Sequence, residues 1–192
     1  MLVLLVGHSI IARLSQSLAL LNLCRVQNNL QIQFHGVPGA WATRFFFLHW
    51  RVPVPPPNIV FLQVGENKIG YTDPDLIILN MLSLCMMLLQ NGVSSVMVGA
   101  MIPRFNPRRV SVSQYTRRIR YINSSLDQTL RDMSRVTFHG LIEFRPRYLH
   151  VDEVHFNSRG QIWFLQHNLT CIYCRFFIEI LHRTLILLDY EF

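Results

Sequence analysis

Leu2-Val3-Leu4-Leu5-Val6-Gly7-His8-Ser9 reads as a buried strand that ends in a tight turn. An apolar run without alternation is the pattern of a parallel strand covered on both faces. Behind the turn, Ile10, Ile11, Leu14, Leu18 and Leu21 recur at helical spacing, which predicts a helix over Ser9 to Leu23. The N-terminus of such a helix leaves backbone N–H groups free for an anion.

The same unit recurs along the chain. Leu30 to Phe34 reads as a second strand, ending in the loop His35-Gly36-Val37-Pro38-Gly39, whose residues let the backbone approach a ligand. Arg44 to Trp50 reads as a short helix, and Pro53, Pro55, Pro56 and Pro57 enforce an extended connection. Ile59 to Val64 is a third buried strand, closed by Gly65-Glu66-Asn67. Asp73 with Pro74 starts a helix that Asn91-Gly92 stops, and its nearly unbroken apolar content predicts deep packing. Ser95 to Ile102 is a fourth strand. Ser111 to Met133 is an amphipathic helix with Val112, Tyr115, Ile119, Ile122, Leu126 and Leu130 on one face. Val136 to Phe138 reads as a short fifth strand, and Gln161 to Leu187 as a final helix with a narrow polar stripe of Asn168, Arg175, Glu179 and His182.

Strands alternating with helices, without internal repeat, predict a three-layer α/β/α sandwich on a parallel, five-stranded sheet. At 192 residues the chain is expected to form one domain, residues 1–192. Half of it is apolar and few residues are charged, which excludes a disordered protein. The net charge of +7 rests on arginine, with Lys68 as the only lysine. Cys24, Cys85, Cys171 and Cys174 are too scattered for a disulfide scaffold and read as reduced thiols of an intracellular, cytoplasmic protein. The Cys171-x-x-Cys174 pair has no second pair at zinc spacing and reads as buried thiols; no metal or cofactor is expected. The first residues lack a basic region and read as a strand, not a signal peptide. No apolar run is long enough to span a bilayer.

Candidate chemistry lies where the strands end. Asp152-Glu153-Val154-His155-Phe156-Asn157-Ser158-Arg159-Gly160 places a carboxylate three residues before a histidine and just ahead of a helix start. A serine hydroxyl is a poor nucleophile until a neighbouring base takes its proton. His155 is the candidate base for Ser9, with Asp152 holding the imidazole in the right tautomer. The oxyanion that such an attack creates would be met by the backbone N–H groups of Ser9 and Gly39 and the side-chain amide of Asn67. All these residues follow predicted strands, so all fall on one edge of the sheet, where ligands sit in such folds.

In that order, Gly-x-Ser after the first strand, Gly39 in the second loop, Gly65-x-Asn67 after the third strand and Asp152-x-x-His155 before the last helix, these blocks resemble the SGNH (GDSL-type) hydrolases. The resemblance implies a flavodoxin-like α/β/α fold, metal-free hydrolysis of acyl or acetyl esters, and the roles just given to Ser9, Gly39, Asn67, Asp152 and His155. Val6-Gly7-His8-Ser9, Leu62-Gln63-Val64-Gly65-Glu66-Asn67 and His155 to Gln161 are also similar to SGNH-like domains of animal proteins associated with mobile elements. The chain departs from the family pattern at His8, where Asp is usual, at Arg13 and Glu153, where Gly is frequent, and at Lys68, where Asp often stands. His8 reads as structural or substrate-facing, and Glu66 and Glu153 as solvent-facing loop residues. The α/β-hydrolase fold is disfavoured, because Gly-x-Ser-x-Gly inside the chain is absent. The competing reading is a catalytically weak interaction module that contacts nucleic acid through Arg104, Arg108, Arg109, Arg117, Arg118 and Arg120.

Overall fold

The computed structural model describes residues 1–16, 31–39, 52–141 and 144–189, with side chains as far as residue 174. Five strands, β1 (Leu2–Gly7), β2 (Gln31–Gly36), β3 (Ile59–Gln63), β4 (Ser95–Gly99) and β5 (Val136–His139), form one sheet in the order β2-β1-β3-β4-β5. Every neighbouring pair is parallel, with Leu2 opposite Gln31, Val3 opposite Ile59, Ile59 opposite Ser95 and Val96 opposite Val136. The described helices are α1 (Ser9–Ser15), α2 (Pro74–Gln90), α3 (Val112–Leu130) and α4 (Ser158–Asp189). The sheet direction reverses between β1 and β3, so a crevice opens beyond their carboxyl ends.

Alternation along the buried strands builds two cores. Leu4, Val6, Val60, Leu62, Val96 and Val98 point to the face covered by α2 and α3, against Met81, Leu84, Leu88, Ile119, Ile122 and Leu126. Val3, Leu5, Ile59, Phe61 and Met97 point to the other face, against Ile10, Ile11 and Leu14 of α1 and Phe164, Leu165 and Leu169 of α4. Phe61 and Phe164 meet edge to face with centroids 6.2 Å apart at the centre of that second layer.

Several boundaries differ from the sequence reading. β2 runs on to Gly36, which pairs with Gly7, and the close approach of α1 there leaves no room for a β-carbon at Gly36 against the Ala12 backbone. β4 stops at Gly99 although apolar residues continue to Ile102, because the Asn123 side chain takes the Met101 backbone N–H at 2.8 Å and donates to its carbonyl at 3.3 Å. α2 is not packed all round: Leu76, Leu79 and Met86 face outward. α4 starts at Ser158, three residues before the expected position, since Asn157 Oδ1 accepts the Gly160 N–H at 2.9 Å and caps the first turn. In the expected polar stripe, Asn168 is buried and donates to the Phe164 carbonyl; Arg175, Glu179 and His182 lie beyond the described side chains. Cys85 is buried, and burial pushes its thiol up to about 12, but Cys171 is half-buried and Cys174 exposed, unlike the buried pair expected. The remainder of the expected first helix, the Arg44 to Trp50 segment and Cys24 fall outside the described residues. No described helix is long and apolar enough to cross a membrane.

Candidate active site

Four loops reach the crevice between β1 and β3, and each is shaped by local chemistry. Gly7 ends β1 where a β-carbon would collide with the Ile11 side chain and the Gln63 carbonyl, so the chain turns sharply into α1 and leaves Ser9 at its first position, half-buried. Gly65, with φ of 115°, turns β3 into a short 3-10 helix over Glu66–Lys68 that carries Asn67. Gly39, with φ of 76°, stands in the exposed loop after β2.

The fourth loop joins β5 to α4. Leu149 and Phe156 bridge in antiparallel fashion, the His150 N–H donates to the His155 carbonyl at 2.7 Å, and the Asn157 side chain donates to the carbonyls of Arg147 and Leu149 at 2.8 and 2.9 Å. Inside that latch, Asp152 Oδ1 accepts the backbone N–H groups of Val154 and His155 at 3.0 and 2.9 Å. The turn requires φ of 55° at Glu153, a left-handed conformation where glycine is at ease, and glycine is frequent at this place in the resembled family.

Ser9 and His155, 146 positions apart in sequence, meet with Oγ donating to Nε2 at 3.0 Å. His155 Nδ1–H donates to Asp152 Oδ2 at 2.7 Å. That bond selects the tautomer with a free lone pair on Nε2, facing the serine. Partial burial of Asp152 works against ionisation, but the hydrogen bonds from His155 and Val154 outweigh it and hold the carboxyl well below the usual carboxylate range. The group is therefore held as an anion that accepts the Nδ1 proton.

A cleft of about 470 Å³ opens in front of His155, with Gly39, Asn67, Tyr71, Arg104 and Asp152 among its walls. Ser9 is not one of the walls; its hydroxyl is one hydrogen bond away, at His155 Nε2. Asn67 Oδ1 accepts from Arg104 Nη2 at 2.8 Å, so the other end of the amide, Nδ2, is its donor. Another cleft, of about 400 Å³, lies where α3 leads to β5 and has no histidine or cysteine in its lining.

One part of the site departs from the sequence reading. Glu66 is not solvent-facing: it is buried, and its Oε2 accepts from His8 Nε2 at 2.7 Å, with neither side chain exposed. The Gln63 side chain donates to Glu66 Oε1 and to the Ala100 carbonyl. Burial alone would raise the Glu66 carboxyl, but the His8 and Arg104 charges and the His8 hydrogen bond reverse the sign and lower it. His8 Nδ1 accepts weakly from the Ile10 N–H at 3.4 Å and lies 3.4 Å from Ser9 Oγ. The serine hydroxyl thus stands between two histidine–carboxylate pairs, one at the cleft and one in the core. The signal available in the sequence was positional: Gly7-His8 and Gly65-Glu66 close the two strands that flank the reversal point. Glu153, in contrast, is exposed, as expected.

Nor do the six arginines form one free basic face. Arg104 is bonded to Asn67, Arg109 lies over the Tyr71 ring at 4.6 Å, and Arg118 donates to the carbonyls of Ile69 and Thr72. Arg108, Arg109, Arg117 and Arg120 are exposed.

No protein-family profile matches the chain, and no curated protein does either. Solved structures do match. A GDSL-like lipase from Bacteroides thetaiotaomicron superposes with a TM-score of 0.69 at 18% identity, covering 90% of this chain and 86% of that one. A member of the lipolytic G-D-S-L family from Veillonella parvula gives 0.64 at 16% identity, with 88% and 97% covered. A catalytic mutant of an acetylxylan esterase from Geobacillus stearothermophilus gives 0.56 at 16% identity, with 88% and 92% covered. The sheet order, the crevice at the reversal point and these superpositions agree: this chain has the GDSL-type hydrolase fold.

Proposed function

We propose that the chain is a serine ester hydrolase that cleaves acyl or acetyl esters through an acyl-enzyme intermediate. The observation that carries this reading is the continuous relay from Ser9 Oγ to His155 Nε2, and from His155 Nδ1 to Asp152 Oδ2, at 3.0 and 2.7 Å.

Ser9 Oγ attacks the ester carbonyl while its proton passes to His155 Nε2, and Asp152 stabilises the imidazolium that results. The carbonyl oxygen becomes an oxyanion, met by the backbone N–H groups of Ser9 and Gly39 and by Asn67 Nδ2, each donor being worth roughly 3 kcal/mol of barrier. Arg104 holds Asn67 by its oxygen and so fixes the orientation of the amide. His155 returns the proton to the departing alcohol. Water, deprotonated by the same imidazole, then releases the acid and restores Ser9. Esterase and lipase chemistry in the similar structures supports the class of reaction.

The test is turnover of p-nitrophenyl acetate. Wild-type protein is expected to hydrolyse it, and Ser9→Ala is expected to be inactive with an unchanged circular dichroism spectrum. Undiminished turnover by the Ala variant would contradict the proposal.

A further inference from the structure

The cleft holds guanidinium donors that ester hydrolysis alone does not use. Both carboxylates at its walls are committed, Asp152 to His155 and Glu66 to His8. Arg104 and Arg108 line the same cleft, and among the described residues neither makes an ion pair with a carboxylate. Arg104 is half-buried, and the hydrogen bond its guanidinium makes goes to an uncharged amide oxygen, Asn67 Oδ1. A guanidinium has five N–H donors in a planar fork, so most of this one's capacity is unspent in a place partly withdrawn from water.

The segment that carries these arginines is pinned to the site. The Phe105 N–H donates to the Glu153 carbonyl at 3.2 Å, between the two triad residues of that loop. Gly70 lets the Arg108 backbone carbonyl approach so closely that a β-carbon would strike it, and Arg109 is laid over Tyr71. The backbone that carries Arg104 and Arg108 is therefore fixed at the cleft wall.

We infer that the ester taken by this cleft itself bears an anion, a carboxylate or a phosphate, seated on Arg104 and Arg108. This rests on the ester-hydrolase reading for the reaction, but the anion site can be tested without turnover. A planar fork matches both oxyanions, and a partly buried partner is screened less than an exposed one. The anion can belong to the acyl or to the alcohol side, and two pairs of esters separate these sources: mono-4-nitrophenyl glutarate against 4-nitrophenyl valerate, and 3-acetoxybenzoate against 3-acetoxybenzamide. In at least one pair kcat/KM is expected to favour the charged ester about tenfold, a preference that shrinks in high salt. The ratio should collapse in Arg108→Gln and invert in Arg108→Glu, an exposed position where folding is not at stake. In parallel, calorimetry measures binding of glutarate and inorganic phosphate to Ser9→Ala, with loss of binding expected in Ser9→Ala/Arg108→Glu. Esters hydrolysed without charge preference overturn this inference and leave the hydrolase reading intact. Anion binding without hydrolysis of any ester does the reverse. Absence of both removes both.

Discussion

Asp152 orients His155 only while it is an anion that accepts the Nδ1 proton. Asp152→Asn would offer an N–H in place of one oxygen and favour the wrong tautomer, so p-nitrophenyl acetate turnover should fall about 10⁴-fold with little change in fold. At Glu66 the expected loss is stability. Removing the carboxylate leaves the His8 Nε2–H and the Gln63 amide, both buried, without their acceptor, and Glu66→Ala should cost about 1–3 kcal/mol in a urea unfolding curve. Glu153→Gly should act in the opposite sense, relieving φ of 55° and raising the unfolding free energy by about 1 kcal/mol or less. Ser9, Asp152 and His155 were legible as candidates because residue type, spacing and position after strands all pointed one way. Glu66 was not, because its burial depends on His8 and Gln63, which come from the ends of two different strands, and nothing local to Gly65-Glu66-Asn67 announces that.

At the scale of elements, the loop between β5 and α4 decides whether the site exists. Asn157 ties it down on both sides, donating to two carbonyls of the incoming chain and accepting from Gly160 at the start of α4. Asn157→Ala should therefore cost about 1–2 kcal/mol of stability and also reduce kcat, since the latch it removes holds Asp152 and His155. A change in the unfolding midpoint with kcat untouched would show that the loop holds its shape without the latch. The helical periodicity of α3 and the continuous runs of β1 and β3 were plain in the sequence. Their ends were less so: β4 ends where Asn123 captures Met101, and β2 continues because Gly36 still has Gly7 as a partner. Strand ends are set by such tertiary partners, and apolar content alone does not record them.

Across the whole molecule, two cores hold the sheet and one rim carries the proposed chemistry, and acid should attack the first. His139, at the end of β5, is lowered to about 4 by burial and by His167, against an ordinary 6.5. As pH falls below 6.5 the unfolded chain takes up a proton that the folded chain refuses, so stability is lost between those values. Glu66 adds to this lower down: held ionised when folded, it contributes stability above the ordinary 4.5 that is lost as pH falls beneath it. Thermal stability should thus fall steadily below neutrality, and His139→Asn should flatten the upper part of that slope. The order of strands, β2-β1-β3-β4-β5, brings the first helix and the last loop to one crevice, and on that meeting the proposed chemistry depends. The most direct measurement is labelling with a fluorophosphonate followed by peptide mapping. One label per chain, on Ser9, formed far more slowly in His155→Ala, is the expected result. Labelling at another residue, or at an equal rate without the imidazole, would contradict the account.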